Sequence, residues 1–322
     1  MPIDETLARY SDFSFKTAIV VYALALTLLF WQYATARGHR VVERELASVG
    51  GGAAPQGPGR IIEPQRRSLS ERVGNMAFSV LVVAVALHVV AIVLRGFSTH
   101  RFPLGNMYEF ITMATAAAVL TGLLFLREQR HRSVWAFLLV PVLILLFLAG
   151  TVLHSEAAPV VPALQSYWLP VHVTIVSVGS GVFLFAGVAS ILFLYRLRRQ
   201  PDGAESNNVF GSIARRLPDA RTLDRLAYTA TVIGFPLFGA GVILGAIWAE
   251  AAWGRYWAWD PKETGSFITW VLYAAYLHAR ATSGWRATRA AWINIAAFAA
   301  NLFNLFFINM VVNGLHSYAG LN

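Results

Sequence analysis

Eight apolar runs of membrane-crossing length, divided by short Arg-rich segments, leave this chain few folds to choose from. They lie at about 15–36, 75–94, 107–126, 133–153, 170–195, 227–248, 264–279 and 290–313. A helix of ~20 residues rising ~1.5 Å each covers a hydrocarbon core of ~30 Å, and in lipid each backbone polar group must be satisfied within its own segment. The reading is an all-α polytopic membrane protein with about eight transmembrane helices. Composition excludes the main alternative: 57% hydrophobic residues, 13% charged and a mean hydropathy of +0.54 are far from a soluble domain, whose charged fraction is about 25%. The net charge of +9 does not mark a nucleic-acid binder, because the Arg residues are spread through short loops and form no single patch.

Those Arg and Lys residues set topology instead. With the N-terminus outside, the inner segments hold 20 of the 26 basic residues, and the outer ones hold only Arg9, Lys16, Arg95, Arg101, Arg255 and Lys262. Acidic residues divide nine to eight, as expected when positive charge alone orients the spans. N-out and C-out follows, in a bacterial plasma membrane. The segment before the first run carries Asp4, Glu5 and Asp12 and no basic stretch, so that run is expected to remain as a span. Residues 1–322 read as one integral membrane domain, with 37–74 (seven Arg, four Glu and a Gly/Pro/Ala tract) as a flexible inner loop.

The outer loop at 249–263 is unusual. Residues 253–263 pack Trp253, Trp257, Trp259, Tyr256 and four ionisable side chains (Arg255, Asp260, Lys262, Glu263) between two spans. An interfacial aromatic belt is the plain alternative, although belts scatter over many helix ends. Sorting the histidines by depth adds to the pattern. His39 and His131 fall in inner loops and read as surface residues, whereas His100 and His154 fall at outer helix ends. His88 lies within the second span, and His278 ends the seventh at its inner side. His172 and His316 are outer and sit on different helices that can flank the aromatic loop. Imidazole suits iron, zinc and copper, but the chain has no cysteine and no tight His/carboxylate spacing. Two imidazoles from separate helices with broad aromatic walls suit a planar cofactor with an axial position on each face, namely haem. Asn294, Asn301, Asn304, Asn309 and Asn313 cover about half of the last span, which is expected to face protein or a polar cavity.

The stretch WGRYWAWDPKETGSFITWVLYAAYLH, 253–278, resembles the tryptophan-rich WWD domain of haem-handling proteins in cytochrome c biogenesis, of the CcsA/ResC type in system II. RGFSTHRFPLGNMYEF (95–110), LQSYWLPVHV (164–173) and GLHSYAG (314–320) are similar to the same family, so the resemblance covers most of the chain from the second span onward. One departure stands out: Gly265-Ser266 follows the Thr where the family carries Trp-Ala, one stacking ring fewer.

The resemblance implies that His172 and His316 ligate haem iron from opposite faces above a WWD platform of Trp253, Trp257 and Trp259. It implies a second, deeper haem position at His278, whose companion ligand belongs to a CcsB/ResB-type membrane subunit. Haem b would pass from the inner to the outer position for attachment to the C-x-x-C-H thiols of apocytochrome c, with thiol-reducing proteins as further partners. Haem lyase activity is implied only together with that subunit. The absence of cysteine agrees, since no thiol is needed from this chain. Asp260 belongs to the motif, and Arg255 and Lys262 lie where they can pair with haem propionates or, alternatively, with Asp260 and Glu263. Two other classes stay open at this point: a haem transporter without synthase activity, and a membrane redox subunit with a bis-His haem.

Overall fold

A computed structural model describes residues 3–49, 68–128, 131–159, 165–199 and 209–316. The helices run α1 (Glu5–Val49), α2 (Leu69–Thr99), α3 (Met107–Phe125), α4 (Val134–Thr151), α5 (Trp168–Arg198), α6 (Val209–Ala214), α7 (Ala220–Trp253), α8 (Pro261–Ala281) and α9 (Ala287–Phe303). A π-helical turn, Asn304–Ile308, and a last α-turn, Asn309–Val311, continue α9. No strand occurs among the described residues.

Seven of these helices are long and apolar enough to cross a membrane: α1, α2, α3, α4, α5, α7, and α9 with its continuation. The remaining expected span is α8. Its 21 residues reach about 31 Å, but Lys262 and Glu263 at one end and His278 and Arg280 at the other make it the most polar of the set.

Helix ends differ from the sequence expectation in three places. Helix α1 continues through 37–49, part of the expected loop, because Arg and Glu there favour a helix, the single Gly38 costs it only about 1 kcal/mol, and the Gly/Pro tract begins at Gly50. Helix α2 starts at Leu69, where Ser68 and Glu71 form a reciprocal capping box; residues 50–67 lie outside the described residues. The aromatic loop shrinks from 249–263 to the seven residues between the ends of α7 and α8. Gly254, at φ 71°, closes α7 in the left-handed conformation, and Asp260 already caps α8.

Helix α5 is the centre of the bundle. In α5, 78% of the most apolar window is buried, against 67% or less in every other span. It packs along α3 and α7, while α1 packs along α2 and α8 lies against α9. Small residues permit the close approach: a Cβ on Gly181 would stand 2.7 Å from Ala117 Cβ, and one on Gly179 3.1 Å from Phe238 Cβ. His88 ties three helices together. Its Nε2 donates to the Thr112 carbonyl at 3.0 Å, so Nδ1 accepts from the Tyr22 hydroxyl at 3.3 Å. Such a hydrogen-bonded bridge is what makes a wholly buried imidazole affordable inside a membrane bundle. His131, expected at the surface, is instead 8% exposed in the turn before α4.

Candidate functional site

At one end of the bundle the N-termini of α3, α5 and α8 and the C-terminus of α7 surround an open cleft with about 1120 Å³ of empty space, its mouth included. His172, His316, Trp248, Trp257, Tyr256 and Lys262 line it, together with the 104–107 segment. Residues from widely separated parts of the sequence therefore meet at one concavity, the usual form of a ligand site.

His172 and His316 are both held by their Nδ1. The Gly241 carbonyl lies 2.7 Å from Nδ1 of His172 and can only accept, so Nδ1 carries the proton and Nε2 the lone pair. Nδ1 of His316 donates to Asp260 Oδ2 at 2.8 Å. A histidine whose far nitrogen is latched in this way to a carbonyl or carboxylate has the tautomer and fixed ring direction of a metal ligand. Trp248 stands beside both rings, parallel to His172 (6.1 Å between centroids, 5°) and tilted to His316 (5.8 Å, 58°). The two imidazoles are therefore within about 12 Å of each other, the sum of those spacings.

Asp260 connects the loop to the tail. Its Oδ1 accepts the Leu315 N–H at 2.7 Å and its Oδ2 the Lys262 N–H at 3.2 Å, besides the His316 bond. Burial on its own pushes the carboxyl up. The hydrogen bonds from His316, Leu315 and Lys262 outweigh it and hold the group at about 2. Burial also holds His316 below the ordinary imidazole value, against the raising effect of Asp260. Asp260 is thus an anion and His316 a neutral imidazole at neutral pH.

The loop is folded by its charges. Glu263 Oε2 accepts the Ala258 and Asp260 N–H groups at 2.9 and 3.1 Å, and its Oε1 pairs with Arg255 at 3.2 Å. Asp260 at the N-cap, Pro261 at the first helical position and Glu263 at the third form a capping box. Just before it the backbone passes through the left-handed region at Trp259 (φ 60°), an outlier for a bulky residue that costs on the order of 1–3 kcal/mol. That kink aims Asp260 back at the 314–316 segment, where a Cβ on Gly314 would stand 2.7 Å from Asp260 Oδ1.

The sequence-derived set separates into groups. His172, His316, Trp257 and Lys262 line the cleft. Trp253 backs His316 edge-on at 5.1 Å, and Asp260 orients it. Trp259 is 67% exposed and packs on Trp257 and Phe267, outside the cleft lining. Arg255 braces the loop through Glu263 and lies over the Trp253 ring at 5.4 Å, which is the pairing alternative. Lys262 does not pair with Glu263; its Nζ donates to Asn309 Oδ1. His278 is exposed at the far end of α8, about 20 Å along the helix from Glu263.

Trp248 and the Gly241 carbonyl are the site parts that the sequence reading passed over. The first was hidden as the last residue of an apolar run, and a backbone carbonyl leaves no signature. The capping box was legible as D-P-x-E. Gly265 and Ser266 pack closely on Asn304. A Cβ at Gly265 would stand 2.8 Å from Asn304 Cγ, and Asn304 donates to Ser266 Oγ at 2.9 Å. Four of the five asparagines of the last span are buried; Asn313 is exposed. A π-turn beside a cleft is a frequent mark of a functional site.

The 95–110 stretch forms the opposite wall. Glu109, 3% exposed, accepts from Arg95 Nε at 3.0 Å, from Arg101 Nη1 and Nη2 at 2.9 and 3.1 Å, and from the Gly105 N–H at 2.7 Å. This buried cluster fixes the 101–106 turn against the cleft.

Comparison with known proteins shows the family. The family model "Cytochrome C assembly protein" matches residues 104–316. The cytochrome c biogenesis protein CcsA of Mesostigma viride is 34% identical over 266 residues, covering 76% of this chain and 84% of the relative. That of Gloeobacter violaceus is 32% identical over 305 residues, covering 80% and 89%. Among solved structures the cytochrome c heme lyase CcmF superposes with a TM-score of 0.60 at 18% identity. The superposition covers 95% of this chain but 47% of that one, a likeness of fold. A match over that span, with relatives aligned over most of their own length, establishes that the chain belongs to the cytochrome c assembly protein family, among its CcsA-type members.

Proposed function

We propose that this chain takes part in cytochrome c maturation by holding haem b in the cleft for covalent attachment to the C-x-x-C-H segment of apocytochrome c. One observation carries the reading: two imidazoles on separate elements, each latched by Nδ1, line one open cleft. Haem is the substrate. His172 and His316 take its two axial positions, Trp257 supplies a wall, and Lys262, the one Lys or Arg of the lining among the described residues, meets a propionate. The protein contributes position and electrostatics, and the substrate brings both thiols. Each thiol adds across a vinyl group, sulfur to one carbon and hydrogen to the other, so no electron leaves the pair.

The Arg and Lys bias supports placing the cleft end outside, with both termini there, in a bacterial plasma membrane. A CcsB/ResB-type subunit completes the synthase, and thiol-reducing proteins keep the apocytochrome ready. His278, at the other end of α8, serves an entry station shared with that subunit, since one iron cannot reach both ends. His278→Ala in the complex should then lower haem content while the remaining haem keeps a low-spin bis-His spectrum. Full loading and normal cytochrome c yield would remove the entry station from this chain; the bond pattern would then leave α8 held there by Arg280, which pairs with Asp224 at 2.9 Å.

Wall and belt are separable by substitution. Burying a large ring is worth about 1.5–3 kcal/mol, so Trp257→Ala should weaken haem retention by roughly 10- to 100-fold. Trp31, 51% exposed on α1, should have no such effect, and Trp259 an effect closer to that of Trp31. Equal, slight losses at Trp31 and Trp257, measured as haem per purified complex, would favour an aromatic belt.

A further inference from the structure

Glycines 241, 245 and the ring of Trp248 fall on one face of α7 at helical spacing, and His172 of α5 lies in the slot they make. Gly241 provides the carbonyl that accepts from Nδ1 at 2.7 Å. One turn on, a Cβ built on Gly245 would stand 2.6 Å from Cε1, 2.9 Å from Nδ1 and 3.2 Å from Nε2 of the same imidazole. Three ring atoms that close mean the ring lies over the bare Cα of Gly245, with Trp248 parallel to it. No methyl fits there, and the obstacle is a ring held at Nδ1, not the loose tip of a flexible chain.

We infer that Gly245 is a positioning residue for haem ligation: by lacking a side chain it lets the His172 ring seat against α7, and so fixes the direction in which Nε2 meets the iron. The inference rests on His172 being an axial ligand. Gly241 and Gly245 therefore act together, one as latch and one as floor. A methyl at residue 245 must push the ring off the Gly241 carbonyl, freeing both the tautomer and the ring angle. A misplacement of about 1 Å at a reacting centre costs on the order of 100-fold in rate.

The test uses the full chain co-expressed with its CcsB/ResB-type partner, comparing His172→Ala, Gly245→Ala and the double variant by the absorption spectrum of the bound haem. Gly245→Ala is expected to convert the low-spin bis-His spectrum largely to a high-spin one that added imidazole reverses, with cytochrome c yield down roughly 10- to 100-fold. The double variant should match His172→Ala, because once the ring is gone the methyl has nothing to meet. If Gly245→Ala fails to accumulate in the membrane but the double variant does accumulate, the clash is with the imidazole and the inference stands. A wild-type spectrum in Gly245→Ala overturns it. So does a double variant worse than His172→Ala, or failure of both glycine variants to accumulate while His172→Ala does. Should His172→Ala itself keep the bis-His spectrum, the ligand reading falls first, which separates the two failures.

Discussion

Replacing His172 or His316 with Ala is expected to abolish cytochrome c maturation, and added imidazole to restore it in part. The expected loss is on the order of 100-fold or more, since altering even the partner of a ligand typically costs 10- to 100-fold. Each substitution removes the Nε2 lone pair from one wall of the cleft while leaving the fold intact, because neither ring belongs to the buried apolar core that joins α1 to α5. The haem that remains in the purified complex should change from a six-coordinate, low-spin spectrum to a five-coordinate, high-spin one. Exogenous imidazole then fills the vacant position. Unchanged maturation in both single variants would end the assignment, and a redox subunit or carrier without synthase activity would become the better reading. The latter two differ in their genetics: deleting the gene should eliminate covalent cytochrome c only if the chain is part of the synthase.

The class of fold was legible because burial in lipid needs only length and hydropathy, which a run of ~20 residues displays directly. What the sequence obscured was how each helix begins and ends. Arg37 looked like a boundary on hydropathy, yet helix propensity carried α1 on to Val49. Lys262 and Glu263 looked like loop residues because they are charged, yet Asp260 and Pro261 had already started α8.

The candidate site was legible as a set of residue types and less so as an arrangement. His172 and His316 could be paired from their depth and their place on helices that flank the aromatic loop, and both line the cleft. Trp253, Trp257 and Trp259 looked equivalent, but the left-handed turn at Trp259 sends that ring outward and leaves Trp257 within. Arg255 and Lys262 also looked equivalent until Glu263 took the first. Long-range partners are what a single sequence withholds: nothing about Gly241 or Leu315 announces that it will meet His172 or Asp260.

Asp260→Asn isolates the electrostatic part of the site. Asn serves about as well as Asp at an N-cap, so α8 should start in the same place, whereas Ala would also lose about 0.5–2 kcal/mol of capping. The carboxylate, however, accepts on both oxygens, from Leu315 on one and from His316 and the Lys262 N–H on the other. An amide has one acceptor oxygen. It can serve Leu315 or His316 but not both, and its bond to His316 is no longer charge-assisted. Haem affinity is expected to fall by roughly 10- to 100-fold. The reduction potential of the haem that remains should rise, because a less basic imidazole favours the oxidised iron less. Acid separates this from a purely structural role. The Asp260 carboxyl is depressed in the fold to about 2, below its unfolded value of ~3.9, so the stability it contributes is complete above ~pH 4 and is lost as the pH falls through 2. The stability gap between the wild type and Asp260→Asn should therefore close over that window. If the variant binds haem with unchanged affinity and potential, Asp260 is only a helix cap, and the direction of His316 is set by the backbone of the 314–316 segment.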